Sequence, residues 1–210
     1  MGEIKYCNGK TLPDRLSAVA VFSLLSVFGA VYGFVYEMIF YYINGGMKKF
    51  YWRGSCFGPW ILIYAVGSYV IYFSTAKFRK NPLLVFAVGG LGCGALELAA
   101  GYIMFKINGH RGWNYNTEIL NFGNIGGFIC LRSVLVFAAS GLFLVYAVMP
   151  FIFFLYNKMG KRLFCIVAFG ALFLFLIDNI YNGIFAQNID GLVSANKFYT
   201  DMGFGLTDFV

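Results

Sequence analysis

Four charged side chains lie inside long apolar runs of this sequence: Glu37, Glu97, Arg132 and Asp178. A charge at the centre of a membrane-crossing helix costs about 2.5–3.5 kcal/mol on insertion scales. Such groups are kept where they pair with one another, or where they line a polar cavity that binds a solute or a proton. Three acids against one arginine leave an excess of negative charge within the runs. Protonation of some carboxylates, or Arg53, Lys106 and Arg111 reaching in from the connections, would balance it. The bland reading is a structural Glu–Arg pair that fixes helix register. The functional one is a binding site in which Glu37 and Glu97 are the central acids and Arg132 is their counter-charge.

The elements that position these groups follow from composition. Of the 210 residues, 60% are hydrophobic and only 12% are charged, whereas a soluble domain is nearer 45–50% apolar. The chain therefore reads as all-α, a polytopic transmembrane helical bundle in one integral membrane domain, 1–210. About five spans are expected, at 17–43, 57–75, 82–107, 127–156 and 163–185, with a tail from 186 to 210. Runs of this length exceed strand length, and backbone in hydrocarbon needs internal hydrogen bonds, so the spans are helices. Pro150 offers a kink in the fourth. The first apolar run is far longer than the roughly 7–15 residues of a signal-peptide core, so it reads as a span.

Basic residues set the expected orientation. Lys77, Arg79 and Lys80 crowd one short connection, and Lys158, Lys161 and Arg162 crowd another. Both fall on the side of Lys5, Lys10 and Arg15, which places the N-terminus in the cytoplasm. Lys48, Lys49 and Arg53 argue the other way. The tail, with Asp190, Asp201 and Asp208, then lies outside, as an interfacial helix or loose. The net charge of +7 fits basic flanks near anionic lipid rather than nucleic-acid binding. Five scattered cysteines without a C-x-x-C pair, and one histidine, His110, give no metal or cofactor motif. No phosphate-binding G-x-x-x-x-G-K-[ST] loop occurs, so an ATPase would be a separate chain.

Helical spacing sharpens the constellation. Gly90, Gly94, Glu97 and Gly101 share one face of the third span, and Gly29, Gly33 and Glu37 repeat that arrangement on the first. Small residues let helices approach closely in lipid, so both carboxylates are expected to point into the bundle. Asp178 and Asn182 share a face of the fifth span. The connections Arg53–Trp60 and His110–Asn116 concentrate polar and aromatic groups. Arg53, Arg111, Trp113 and Tyr115 read either as an interfacial belt or as the rim of a cavity gripping an anionic or aromatic group.

These residues also carry a family resemblance. Gly33-Phe34 with Glu37 fits G-W-x-x-E. Arg53-Gly54, Gly58-Pro59, Ile63-Tyr64 and Gly67 fit R-G-x-x-x-G-P-x-x-P-I-Y-G-x-G. Glu97 follows, then Arg111, Trp113 and Tyr115 for R-W-W-D-Y-S, then Gly127, Ile129-Cys130-Leu131 and Ser133. Over about 31–141 the chain resembles the CmpB-like, ABC-transporter type IV permease family of small multi-pass bacterial membrane proteins. It departs at Phe34, Leu62, Ala65, Gly112 and Asn114, where the family carries Trp, Pro, Gly, Trp and Asp. The resemblance implies a location in the cytoplasmic membrane and a shared site, and more weakly transport.

The first expectation is thus a permease-like, transport-class membrane protein rather than an enzyme, binding a small solute in an outward-facing intramembrane polar cavity. Its partners would be the lipid bilayer and either a separate ATPase subunit or further copies of itself. The alternatives are a membrane-embedded enzyme acting on a lipid or lipid-linked substrate, and a structural or regulatory membrane partner. The topology is directly testable. A cysteine at Ala76 should be shielded from an impermeant thiol reagent in intact cells, and one at Thr117 should be labelled; the opposite pattern inverts the orientation.

Overall fold

The computed structural model describes residues 4–5, 11–12, 14–45 and 50–204. The expected roles of Lys48, Lys49 and Asp208, and of the Lys5 and Lys10 side chains, fall outside the described residues. Apart from a two-residue antiparallel pair, β1 (Ile4–Lys5) with β2 (Thr11–Leu12), the regular structure is helical. The helices are α1 (Arg15–Asn44), α2 (Leu62–Ser74), α3 (Pro82–Asn108), α4 (Leu131–Phe143), α5 (Met149–Ile180), the single turn α6 (Ala186–Asn188) and α7 (Ala195–Asp201). The chain forms two compact units. The first holds residues 1–66 and 152–210, and the second holds Gly67–Phe151.

Three helical stretches among the described residues are long and apolar enough to cross a membrane: Arg15–Asn44, Pro82–Asn108 and Leu131–Asn188. The third has 58 residues but does not run straight. At Gly160 the backbone turns to φ 72, ψ 159, a region that essentially only glycine occupies. The expected span at 57–75 is shorter than the sequence suggested. α2 has 13 residues, about 20 Å at 1.5 Å per residue, and residues 50–61 ahead of it are irregular. Pro150 is expected to offer a kink, but the non-helical backbone within α5 is at Gly160, and what precedes Pro150 is a change of helical hydrogen bonding. The proline cannot donate to the carbonyl of Tyr146, and the chain makes a π-turn over Leu144–Val148 just before it.

In the first unit, α1 begins on an aspartate cap: Asp14 Oδ1 accepts from the Ser17 amide at 2.9 Å. The same carboxylate meets Lys161 Nζ at 2.7 Å, and Ser17 Oγ meets the Tyr156 hydroxyl at 3.0 Å. The Gly160 turn is thereby tied to the start of α1. Gly33 on α1 lies directly under Tyr64; a Cβ there would come within 2.1 Å of the Tyr64 ring. Ala30, Ala65 and Phe175 form a buried core beside Val27, Trp60 and Leu172.

In the second unit, Asn81 caps α3 with Pro82 at its first position, where a missing N–H costs nothing. The basic connection before it is pinned rather than loose. Arg79 donates to the Tyr72 carbonyl at 2.8 Å and lies over the Tyr72 ring, and Tyr146 donates to the Arg79 carbonyl at 3.0 Å. The glycine face of α3 is what sets its packing against α4. A Cβ on Gly90 would sit 2.7 Å from Ala138 Cβ and 3.0 Å from the Val134 carbonyl, and one on Gly94 would sit 3.1 Å from Val134. Gly90→Ala should therefore lower thermal stability in detergent, by about 1–3 kcal/mol from overpacking. Gly170→Ala, on a stretch of α5 with no atom within 4 Å, should be neutral or gain up to about 1 kcal/mol from helix propensity. Equal effects of the two would show that α3 and α4 do not meet at Gly90.

Candidate functional site

The eight expected site residues divide between the units. Glu37, Arg53 and Asp178 belong to the first; Glu97, Arg111, Trp113, Tyr115 and Arg132 belong to the second.

The second unit builds a buried network around Glu97, which is only 6% exposed. Gly90, Gly94 and Gly101 bring α3 so near its neighbours that the one long polar side chain on this face must point into the interior. Tyr115 donates its hydroxyl to Glu97 Oε1 at 2.5 Å. Ser133 Oγ lies 2.9 Å from Glu97 Oε2 and 2.8 Å from the Cys130 carbonyl, so its single proton serves one acceptor or the other. Ser133 also accepts from the Cys130 amide at 3.3 Å, which caps the first turn of α4. Glu97 is thus held at the positive end of the α4 dipole. Burial, and then the charge of Glu97, holds the Tyr115 phenol far above its ordinary range, so it remains a donor.

Arg132, in the same first turn, donates to Glu118 Oε2 at 2.5 Å, and its guanidinium centre lies 5.2 Å from the Tyr115 ring centre. Glu118 is 8% exposed, as is Arg132. Sequence reasoning missed Glu118, because an acid in a polar connection reads as solvated. Only the fold of residues 109–130 turns it inward. That fold is fastened by asparagines: Asn121 donates to the Tyr115 carbonyl, Asn124 donates to Asn116 Oδ1 and accepts from the Gly127 amide, and the Tyr115 amide donates to the Gly127 carbonyl. Gly127, at φ 80, leaves no room for a side chain; a Cβ would lie 2.7 Å from both Asn114 Oδ1 and Asn116 Nδ2.

Trp113 and Arg111 flank this network. Trp113 rests on Gly101 of α3 and donates its indole N–H to the Phe128 carbonyl at 2.9 Å. Arg111 sits between the rings of Phe105 and Phe128, at 5.3 and 4.8 Å from their centres. Both side chains hold the connection against α3.

In the first unit, Glu37 pairs with Arg53 at 3.1 Å, and the guanidinium stacks 3.6 Å above the Tyr41 ring. Asp178 is occupied differently. Its carboxylate accepts from the Phe57 and Gly58 amides at 3.1 and 2.7 Å, from the Trp60 indole at 2.9 Å and from Asn182 Nδ2 at 2.7 Å. These four neutral donors stabilise the carboxylate, and they clamp residues 57–60 onto α5. Neighbouring Cys56 is 3% exposed, and burial, with the charge of Asp178 second, pushes its thiol up to about 12.

The partner of Arg132 gives a quantitative test. Arg132→Ala leaves Glu118 buried without its cation and should destabilise the protein by about 3–5 kcal/mol, as uncompensated buried charges do in soluble proteins. Adding Glu118→Gln should recover much of that loss. Strictly additive losses in the cycle would argue against the contact.

The family model described as "Putative ABC-transporter type IV" matches residues 24–182, about three quarters of the chain, so the chain belongs to that family. The matched stretch contains every residue of both clusters, from Glu37 to Asn182. Neither a curated protein nor a solved structure matches.

Proposed function

We propose, with that membership as the premise, that the chain is a permease-like subunit of an ABC-transporter-type system, and that its solute site is the Glu97 network of the second unit. The observation that carries this reading is a buried carboxyl on a long apolar helix, Glu97, held by two hydroxyls beside a buried arginine–carboxylate pair. Two buried acids, Glu97 and Glu118, face one buried arginine, Arg132. The arginine bonds to Glu118, while Glu97 is held by the hydroxyls of Tyr115 and Ser133. A carboxylate of that kind suits a proton, a small cation or a protonated amine. The hydroxyls of Tyr115 and Ser133 orient the carboxyl, and the first turn of α4 lies beside it.

The proposed topology has five crossings, with the N-terminus in the cytoplasm and the site opening outward in the cytoplasmic membrane. The Gly160 turn supports counting Leu131–Asn188 as two crossings. The short α2 reaches further because residues 57–60 ahead of it have polar groups satisfied by Asp178, and irregular backbone is tolerated at membrane depth when its hydrogen bonds are met. In this reading Glu37, Arg53 and Asp178 fix the scaffold of the first unit, and Arg111 and Trp113 hold the connection that carries Tyr115. A nucleotide-hydrolysing subunit is a separate chain.

One observation favours a second reading, a membrane enzyme acting on a lipid or lipid-linked substrate. Ser133 and Glu97 form a hydroxyl–carboxylate pair at 2.9 Å, the spacing of a nucleophile and its general base. Against it, Ser133 is 4% exposed and already caps α4.

The test compares native-host cells carrying the wild-type chain, Glu97→Gln or no copy, by mass-spectrometric profiling of small solutes and of lipids. Glutamine keeps the size; its oxygen can accept from Tyr115 and its NH2 can donate to Ser133 Oγ, whose own proton then goes to the Cys130 carbonyl, so equal abundance in the membrane is expected. The proposal predicts that wild type alters the level of at least one small solute and that Glu97→Gln restores the profile of cells without the chain. A full effect from Glu97→Gln would remove this carboxylate from the function. A change confined to lipid chemistry would favour the enzyme.

A further inference from the structure

The end of the first unit is fastened in a way that the Glu97 site does not use. Beyond α5 the helix widens into a π-turn over Tyr181–Phe185, a feature often found at functional sites. Asn182 sits in this turn at 2% exposure and bonds in two directions. Its Nδ2 donates to Asp178 Oδ1 at 2.7 Å and to the Asp178 carbonyl at 3.1 Å, the acceptor an ordinary α-turn would give to the Asn182 backbone. Its Oδ1 accepts from the Ala195 amide at 2.7 Å, at the start of α7. One amide side chain therefore joins the carboxylate that clamps residues 57–60 to the C-terminal segment.

That segment returns over the same residues. Tyr199 donates to the Phe57 carbonyl at 2.7 Å and stacks on Trp52, with ring centres 4.0 Å apart and planes 16° apart. The Trp52 amide donates to the Phe204 carbonyl at 2.8 Å, and Phe198 packs edge-on to Phe57. Trp52 in turn donates to the Cys56 carbonyl at 2.9 Å. Between the π-turn and α7 lies Gly191, at φ 87 and with no atom within 4 Å of a built Cβ.

We propose that residues 189–204 form a hinged strap over the loop 52–60, swivelling at Gly191 and latched by Asn182. In the closed form shown, the strap bonds to Phe57 and Trp52 while Asp178 holds the Phe57 and Gly58 amides, and Cys56, which follows Trp52 in the loop and precedes Phe57, is 3% exposed. Opening the strap frees the loop for rearrangement while Asp178 keeps the loop's amides. The inference concerns the first unit and stands independently of what the Glu97 network binds.

The native Cys56 reports the strap. In full-length protein in lipid, the four other cysteines are replaced and the rate of labelling of Cys56 by a small maleimide is measured, with a Cys93-only protein as reference for the second unit. The rate follows the population of the open form when opening is fast. Tyr199→Phe, which removes only the hydroxyl on Phe57, should raise the Cys56 rate roughly two- to ten-fold, the worth of one hydrogen bond, and leave the Cys93 rate unchanged. Asn182→Ala should raise it further, by about tenfold or more, since its bonds to the Asp178 carboxylate, the Asp178 carbonyl and the Ala195 amide are all lost. Should Asn182→Ala loosen the whole protein, seen as a parallel rise at Cys93, Tyr199→Phe alone decides the outcome. A Cys56 rate that does not move in Tyr199→Phe, or that moves only together with Cys93, overturns the strap.

Discussion

Burying Glu97 is the condition around which the second unit is built. The glycines of α3 let it approach α4 closely, and the same close approach leaves the one carboxylate on that face only 6% exposed. A carboxyl in that position requires partners, and the chain supplies them from two places at once: Ser133 from the first turn of α4, and Tyr115 from the connection between the helices. Tyr115 can reach Glu97 only if residues 109–130 fold inward. That requirement explains the asparagine fastenings, the positive φ at Gly127 and the packing of Trp113 on Gly101. Turning the connection inward also carries Glu118 into the interior, and Arg132 answers it. Helix packing, loop conformation and electrostatics therefore derive from one buried group.

The first unit solves a related problem with a different chemistry. Asp178 lies on a helix among apolar neighbours, and it is stabilised by neutral donors: two backbone amides, an indole and an amide side chain. Such a site gains directionality where an ion pair would gain charge compensation, and it fixes a stretch of irregular backbone that would otherwise expose its N–H groups. Glu37 and Arg53 follow the ionic route in the same unit, with the guanidinium further held by the Tyr41 ring.

Much of this was legible in the residues. Apolar run length gave the long helices, because hydrocarbon leaves the backbone no other partner. The i, i+4, i+7, i+11 spacing of Gly90, Gly94, Glu97 and Gly101 identified the packed face, because helical period alone decides which side chains share it. Asp178 and Asn182 were visible on one face for the same reason. What sequence did not yield depends on tertiary contacts. Glu118 looks like a solvated loop acid until the loop is folded. The early residues of the 57–75 run are apolar and read as helix, yet Asp178 claims the amides of Phe57 and Gly58 and the helix starts only at Leu62. Tail residues 195–201 carry no strong periodicity, and their docking rests on the Ala195 amide to Asn182, the Tyr199 hydroxyl to Phe57 and ring packing on Trp52 and Phe57.

In the proposed function the Glu97 carboxyl, buried and held by Tyr115 and Ser133, is the group in this unit poised to exchange a positive partner. Infrared difference spectroscopy on the protein in lipid, stepped in pH or in the concentration of a candidate cation, observes that group directly. A carboxyl signal is expected that is lost in Glu97→Gln, shifted in frequency in Tyr115→Phe, and unchanged when Glu37 is replaced by glutamine. A Glu97 signal with the frequency of a water-exposed carboxyl, or one indifferent to the loss of the Tyr115 hydroxyl, would contradict it.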